Sequence, residues 1–345
     1  MARNRIYLDQ RYWNFCRDAA SGHPQKPEHV EILQALYDLV DQRIALCPVF
    51  YSVFAETMKL RHESRLVVAR LIDRLSLGVA VQEPRNLALK ELSHFTWTRL
   101  LGDTTSAPMA HYVFLPVAHL VGEQHPVNTG FKPEDELVLQ KGFYEFMSTV
   151  TMEEVMQLLR DREPVREDDS EFQSRQNVAA ARNRHRFRTF KEAFAIELDG
   201  VADIWEGETR AFVSELFERG HRIAVEVSPS SAVEMTRNLI AIVFGGLKLG
   251  RITTELPSIH IPTGIHAAIR HRRQKYVKGD LHDFAHATTA LGYCDAFLTE
   301  TRLANLLTQR PLQYDQIYQC RVMSEEREVL AYLRELQAGQ NRVDH

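Results

Sequence analysis

The chain has 345 residues, 44% of them hydrophobic and 26% charged, with a formal net charge of -4. This is the composition of a soluble globular protein with room for one large or two ordinary domains. The net charge excludes a chain that holds polyanions by bulk charge, so that role falls to local basic patches if to anything.

The cysteines Cys16, Cys47, Cys294 and Cys320 lie far apart with no C-x-x-C pair, which argues against a disulfide scaffold and a zinc ribbon. A reducing, cytoplasmic setting is the expectation. The opening residues "MARNRIYLDQRYWNF" lack the apolar run of a signal peptide. The apolar stretch "LIAIVFGGLKLG" at 239–250 is too short to span a bilayer and reads as a buried helix, so no membrane role is expected.

In chain order, "RIYL" at 5–8 reads as a buried strand that stops at Asp9. Tyr12, Trp13 and Phe15 follow closely and read as a helix face packed into the core. Pro and Gly punctuate "SGHPQKP", and a helix is expected at about 28–45. Val49 to Ser52 is strand-like, and a helix then carries Phe54, Met58, Val68 and Leu71 at helical spacing until Gly78 closes it. From 84 to 220 helical signals dominate, interrupted by the charged, Pro-containing "DREPVREDDSEF" at 161–172. "HRIAVEV" at 221–227 reads as a strand, 230–249 and Asp280–Leu291 as helices, and "DAFLT" at 295–299 as a short buried strand. The alternation favours an α/β fold: a central parallel sheet flanked by helices, plus a large, mostly helical insertion. The expected division is a discontinuous core of 1–83 and 221–310, an insertion of 84–220, and a C-terminal helical extension of 311–345.

Acids recur where these elements begin or end. Asp9 and Glu300 each follow a strand, Glu56 lies one helical turn beyond another, and Asp283 starts a helix. In open parallel sheets, ligand sites lie beyond the carboxyl ends of the strands, so these acids are expected to converge. Asp280, one turn before Asp283, is a spare ligand or a helix N-cap; Asp295 is an extra acid at the start of the last strand. His282 and His286 are four residues apart and share a helix face, the spacing of a helical zinc pair, but Asp283 stands where the usual H-E-x-x-H glutamate would be. The plainer reading of His286 is a packed helix histidine.

Asp283 opens an Ala-rich helix, "DFAHATTALGYCDAFLTE", with a Gly and then an apolar strand closed by Thr and an acid. This run resembles the C-terminal signature of PIN-domain nucleases. The strand ending in Asp, "IYLDQ", and the helical Glu of "VFYSVFAETMKL" match the family's first two pieces in order. The resemblance covers about 1–80 and 220–310. It implies a PIN-like core and a metal-dependent endonuclease, in the family's terms a ribonuclease, with Asp9, Glu56, Asp283 and Glu300 as catalytic ligands of Mg²⁺ or Mn²⁺. In the family the last acid or Asn often stands two residues after the Thr, where this chain has Thr301; the fourth ligand is therefore open between Glu300 and Asp295, with Asp280 in reserve. Chemically, hard carboxylate oxygens suit both cations, and packed carboxylates repel one another without one.

Two basic segments complete the reading. "SRQNVAAARNRHRFRTFKEAF" at 174–194 offers Arg182, Arg184, Arg186 and Arg188 to a phosphate backbone, with Phe187 and Phe190 placed to stack on bases. "RHRRQK" at 270–275 offers Arg272, Arg273 and Lys275 just before the acidic helix. Expected partners are nucleic acid, RNA before DNA, and a second copy or a regulatory protein on the insertion. Two rivals stand beside the nuclease: a catalytically inactive PIN-like scaffold that binds nucleic acid or protein, and an HD-type or zinc-dependent phosphohydrolase.

Overall fold

The computed structural model of the chain describes residues 3–121, 126, 129–162, 170–202 and 229–340. The first strand, β1 (Asn4–Leu8), runs into α1 (Gln10–Ala20), whose N-cap is Asp9. Pro27 opens α2 (Pro27–Asp41), as suits a residue with no N–H to leave unpaired. Then come β2 (Ala45–Leu46), α3 (Tyr51–Met58), α4 (His62–Ser76) and β3 (Val79–Val81). The middle of the chain holds α5 (Pro84–Phe95), a π turn at Thr96–Leu100, α6 (Ala110–Val113), β4 (Phe114–Pro116), α7 (Pro133–Met147), α8 (Met152–Leu158), α9 (Ser170–Arg182) and a helix, α10, at 190–202. The last part holds α11 (Pro229–Lys248), α12 (Pro257–His271), α13 (Asp280–Tyr293), β5 (Ala296–Leu298), α14 (Thr301–Thr308), α15 (Tyr314–Tyr318), β6 (Arg321–Met323) and α16 (Glu326–Gln340).

β2, β1, β5 and β6 form one parallel sheet in that order, with Ile6, Tyr7 and Leu8 opposite Ala296, Phe297 and Leu298. The period-2 alternation of a strand divides the core. Ile6, Leu8, Ala296 and Leu298 pack on one face with residues of α1, α2, α4 and α16. Tyr7 and Phe297 pack on the other with residues of α12, α13 and α14. Both faces are covered, as a parallel sheet requires. Tyr12 and Trp13 are fully buried, as the sequence implied. A third cluster joins α5, α10, α11 and α12 through Phe95, Phe194, Leu239, Phe244 and Ile259.

The structure corrects several expectations. The second strand is Ala45–Leu46; Val49 makes one isolated bridge to Ala80, and Tyr51 already starts α3. Pro48, without an N–H, interrupts the ladder between them. The long helix expected before Gly78 is two, α3 and α4, with Leu77 and Gly78 at positive φ after the second. The insertion holds a strand, β4, which pairs antiparallel with β3. The C-terminal stretch 311–345 is more than a helical extension, since β6 forms an edge of the main sheet and α16 packs on α2. The expected strand at 221–227 lies outside the described residues.

Candidate functional site

The sheet order reverses between β1 and β5: the chain moves outward to β2 on one side and to β6 on the other. The carboxyl ends of β1 and β5 are therefore a topological switch point, the place where α/β folds commonly bind ligands. Asp9 follows β1 directly, and Glu300 follows β5 after Thr299. Asp9 N–H donates to Leu298 O at 3.0 Å, and its carboxylate accepts from the N–H of Tyr12 at 3.2 Å and of Glu300 at 3.1 Å. Burial raises the Asp9 carboxyl to about 6, against the pull of its hydrogen bonds and the Arg11 charge.

Asp283 reaches the same place from α13. Gly279 lets the chain turn there at φ 93°, a conformation costly for any residue with a Cβ, and Asp280 and Asp283 fall in the first helical turn. Burial raises the Asp283 carboxyl to about 7, and the charges of Glu300, Asp9 and Asp280 add to it, while Arg302 opposes. Asp9, Asp283 and Glu300 therefore share one electrostatic neighbourhood.

The other candidate acids fall elsewhere. Asp295 stands at the opposite end of β5, where it accepts from the Arg5 backbone N–H at 2.7 Å and pairs with the Arg5 guanidinium at 3.2 Å. One strand length separates it from Glu300, so it does not complete the set. Asp280 is 2% exposed, accepts from Val277 N–H at 2.8 Å and forms a two-pronged ion pair with Arg302. It is an anchor for that arginine and for the start of α13. Glu56 lies half-buried on α3, which packs against α13, but its charge is not among those acting most on Asp283. Among the described residues, no three His, Cys, Asp or Glu side chains are close enough together to hold a metal ion. Asp9, Asp283 and Glu300 are gathered at one end of the sheet without being arranged as a coordination shell.

His286 turns away from the acids into the core. Its Nδ1 lies 2.7 Å from the Tyr7 hydroxyl, Phe50 is edge-on to its ring, and burial pushes it down to about 3. It is the packed helix histidine of the plainer reading.

The two basic segments meet. Gln173 and Asn177 on α9 bond Tyr276 O at 2.9 and 3.0 Å, and Tyr276 N–H returns a bond to Asn177 at 2.9 Å. This fixes α9 beside the turn that carries Arg273 and Lys275, both exposed, and that leads through Gly279 into α13. Arg182, Arg186 and Arg188 are exposed too; the side chain of Arg184 lies outside the described residues. Arg272 is half-buried and bonds the carbonyl of Arg310. Phe187 is not placed to stack on a base, since it is buried in the third cluster under the Arg270 guanidinium, and Phe190 packs on Phe194.

Sequence reading passed over Arg302 and Glu91. Arg302, on the first turn of α14, carries a guanidinium into the acidic group; the "TETR" run holds it in plain sight, two residues past the motif's end. Glu91 on α5 is 1% exposed and accepts from Ser258 N–H and Oγ and from the Tyr293 hydroxyl. Burial raises it to about 8. A lone Glu on a helix gives no sequence signal of such burial.

No helix among the described residues is long and apolar enough to cross a membrane. Comparison of the chain with family models, curated proteins and solved structures finds no match.

Proposed function

We propose that this chain is a metal-dependent phosphodiesterase acting on nucleic acid, RNA before DNA, at Asp9, Asp283 and Glu300. One observation carries the reading: at the switch point between β1 and β5, the Asp283 carboxyl is raised to about 7 beside Glu300 and Asp9. Like charges held together at the place where α/β folds take ligands are what a bound cation relieves. The donor chemistry fits Mg²⁺ or Mn²⁺, which favour carboxylate oxygen. The fit is chemical only, and side-chain rotation of Asp283 and Glu300 has to bring the oxygens together. When bound, such an ion supplies charge neutralisation at a phosphodiester and acidifies water. Asp9, pinned by two amides, is the fixed member of the set. Asp283 releases its proton near neutrality, which sets the pH at which the site is ready. The joined basic surface of α9 and 273–275 is suited to guide a phosphate backbone toward α13.

A second reading has its own observation. Arg302 already supplies a positive charge among these acids, as suits a PIN-like scaffold that binds nucleic acid without cutting it.

Titration of the purified chain with Mn²⁺ by calorimetry, beside Asp283→Asn and Glu300→Gln, separates the two. Stoichiometric binding lost in both variants, with Mn²⁺-dependent cleavage of single-stranded RNA, supports the enzyme. Absence of Mn²⁺ binding up to millimolar concentration sinks it and leaves the scaffold.

A further inference from the structure

A cavity of about 560 Å³ lies at the opposite end of the same sheet. Along β1, its Arg5 is roughly 13 Å from Asp9, at about 3.3 Å per residue. Its walls join the core to the insertion: the start of β1 and β5, the end of α13, the end of α5 with the π turn, and the loop before α12. A volume of this size suits a small organic ligand, and junctions of this kind are where such sites are common. The π turn that shapes one wall is a rare backbone form, often found at functional sites.

The polar groups around it are of two kinds. The floor is fixed. Tyr293 donates to Glu91, and the Tyr318 hydroxyl lies 2.7 Å from His260 Nδ1 and donates to Thr253 O at 3.3 Å. Burial raises the Glu91 carboxyl to about 8, which disfavours a buried charge under the floor. The rim carries two ion pairs. Arg5 and Asp295 are closed on each other by three hydrogen bonds. Arg99 and Glu255 are not: their nearest atoms are 3.9 Å apart, past hydrogen-bond reach, and the Arg99 side chain is 68% exposed.

An open guanidinium–carboxylate pair presents donors beside acceptors with no net charge. Its complement is a flat polar edge that carries an acceptor next to donors. Phe95, Met109, Pro257 and Leu291 supply an apolar wall for the body of such a ligand. Gly292 leaves room there, since a Cβ on it would meet Pro257 at 3.0 Å. A simple anion is disfavoured because acids and bases on the rim balance. An aliphatic zwitterion leaves the apolar wall unused.

We infer that this cavity is a nucleobase site, with guanine the preferred base. Guanine alone among the common bases sets a carbonyl acceptor beside two N–H donors on one edge, for Arg99 and Glu255 respectively. The site is independent of the nuclease reading. The base has two sources, a free nucleotide or an unpaired residue of a strand, and both present the same edge.

The test is saturation-transfer NMR and calorimetry on the full chain in EDTA, with guanosine, adenosine and uridine 5′-monophosphates and ribose 5-phosphate. The expected result is saturation of base protons, guanosine monophosphate binding at least tenfold tighter than the others, and a tenfold or greater loss in Arg99→Ala and in Glu255→Gln. Both substitutions fall on partly exposed side chains, and far-ultraviolet circular dichroism and urea midpoints of the same variants check that the rest of the chain is intact. A guanine-containing single-stranded decamer that displaces the nucleotide identifies a strand as the source; failure to displace identifies the free nucleotide. Equal binding of ribose 5-phosphate, indifference to both substitutions, or no binding at millimolar concentration overturns the site.

Discussion

The backbone N–H of Glu300 donates to the carboxylate of Asp9 at 3.1 Å, so the residues that close two neighbouring parallel strands are tied to each other. Asp9 also caps α1 through Tyr12 N–H, and it is 6% exposed. Its side chain therefore holds the ends of the two strands together as well as being a candidate ligand.

Asp9→Ala and Asp9→Asn separate those roles. Alanine removes the cap and strands two buried N–H groups, for a loss of about 2–4 kcal/mol in urea denaturation. Asparagine keeps an acceptor oxygen and costs about 1 kcal/mol. Both abolish Mn²⁺ binding if the proposed site is correct. Equal destabilisation by the two substitutions would show that the charge, and not the acceptor, holds the strands.

Asp283 makes cation binding depend on pH. Its carboxyl is raised by burial and by Glu300, Asp9 and Asp280, to about 7. Protons and Mn²⁺ compete for it, so Mn²⁺ affinity rises as pH climbs from 6 to 8 and levels off above. Stability follows the opposite sign. Between the unfolded value near 4 and the folded value near 7, only the native chain holds the proton, so this group's contribution falls as pH rises through that window. Asp283→Asn therefore gains stability at pH 8, by about 1–2 kcal/mol after allowance for the group's partial exposure, and gains little at pH 5. Thermal melts at the two pH values check it; a gain of the same size at both removes the charge explanation.

How much of this was legible in the sequence depends on the range of the interaction. "RIYL" before Asp9 and "AFLT" before Glu300 are short apolar runs closed by an acid, and both are strands with those acids at their carboxyl ends. The Asp280 helix begins where the sequence put it, because Gly279 and the first-turn acids are local signals. Asp295 and Glu300 show the limit. They are five residues apart with the same chemistry, and only the pairing of β5 with β1 sends one to Arg5 and the other to Asp9. Glu91 is a further case, because its partners Ser258 and Tyr293 lie more than 160 residues away along the chain. Phe187 read as a base-stacking residue because an Arg-rich neighbourhood hides an apolar side chain that packs inward.

That divergence is itself testable. Asp295→Asn loosens the partly exposed pair with Arg5, costs no more than about 1 kcal/mol, and leaves Mn²⁺ binding and any cleavage at the wild-type level. Glu300→Gln, five residues on, removes both with little change in urea midpoint. The reverse pattern, binding lost with Asp295 and kept without Glu300, would move the site to the other end of the sheet.

Glu91 sets a second pH dependence, remote from the acids. It is fully surrounded, with Ser258 and Tyr293 as its hydrogen-bond donors, and burial raises it to about 8 from an ordinary value of 4.5. The native chain keeps this proton between those two values while the unfolded chain does not, so stability falls as pH rises from about 5 through 8 and is flat above. Glu91→Gln preserves an acceptor and carries no charge. It is expected to match the wild type near pH 5 and to exceed it by a few kcal/mol at pH 9, where the wild type must ionise a buried acid. Glu91→Leu leaves Ser258 and Tyr293 without their acceptor and is destabilised at every pH, by about 2–4 kcal/mol. Urea midpoints of the three chains across pH 5–9 decide it: parallel curves for wild type and Glu91→Gln would mean that Glu91 is ionised throughout and that the cavity floor above it carries a charge.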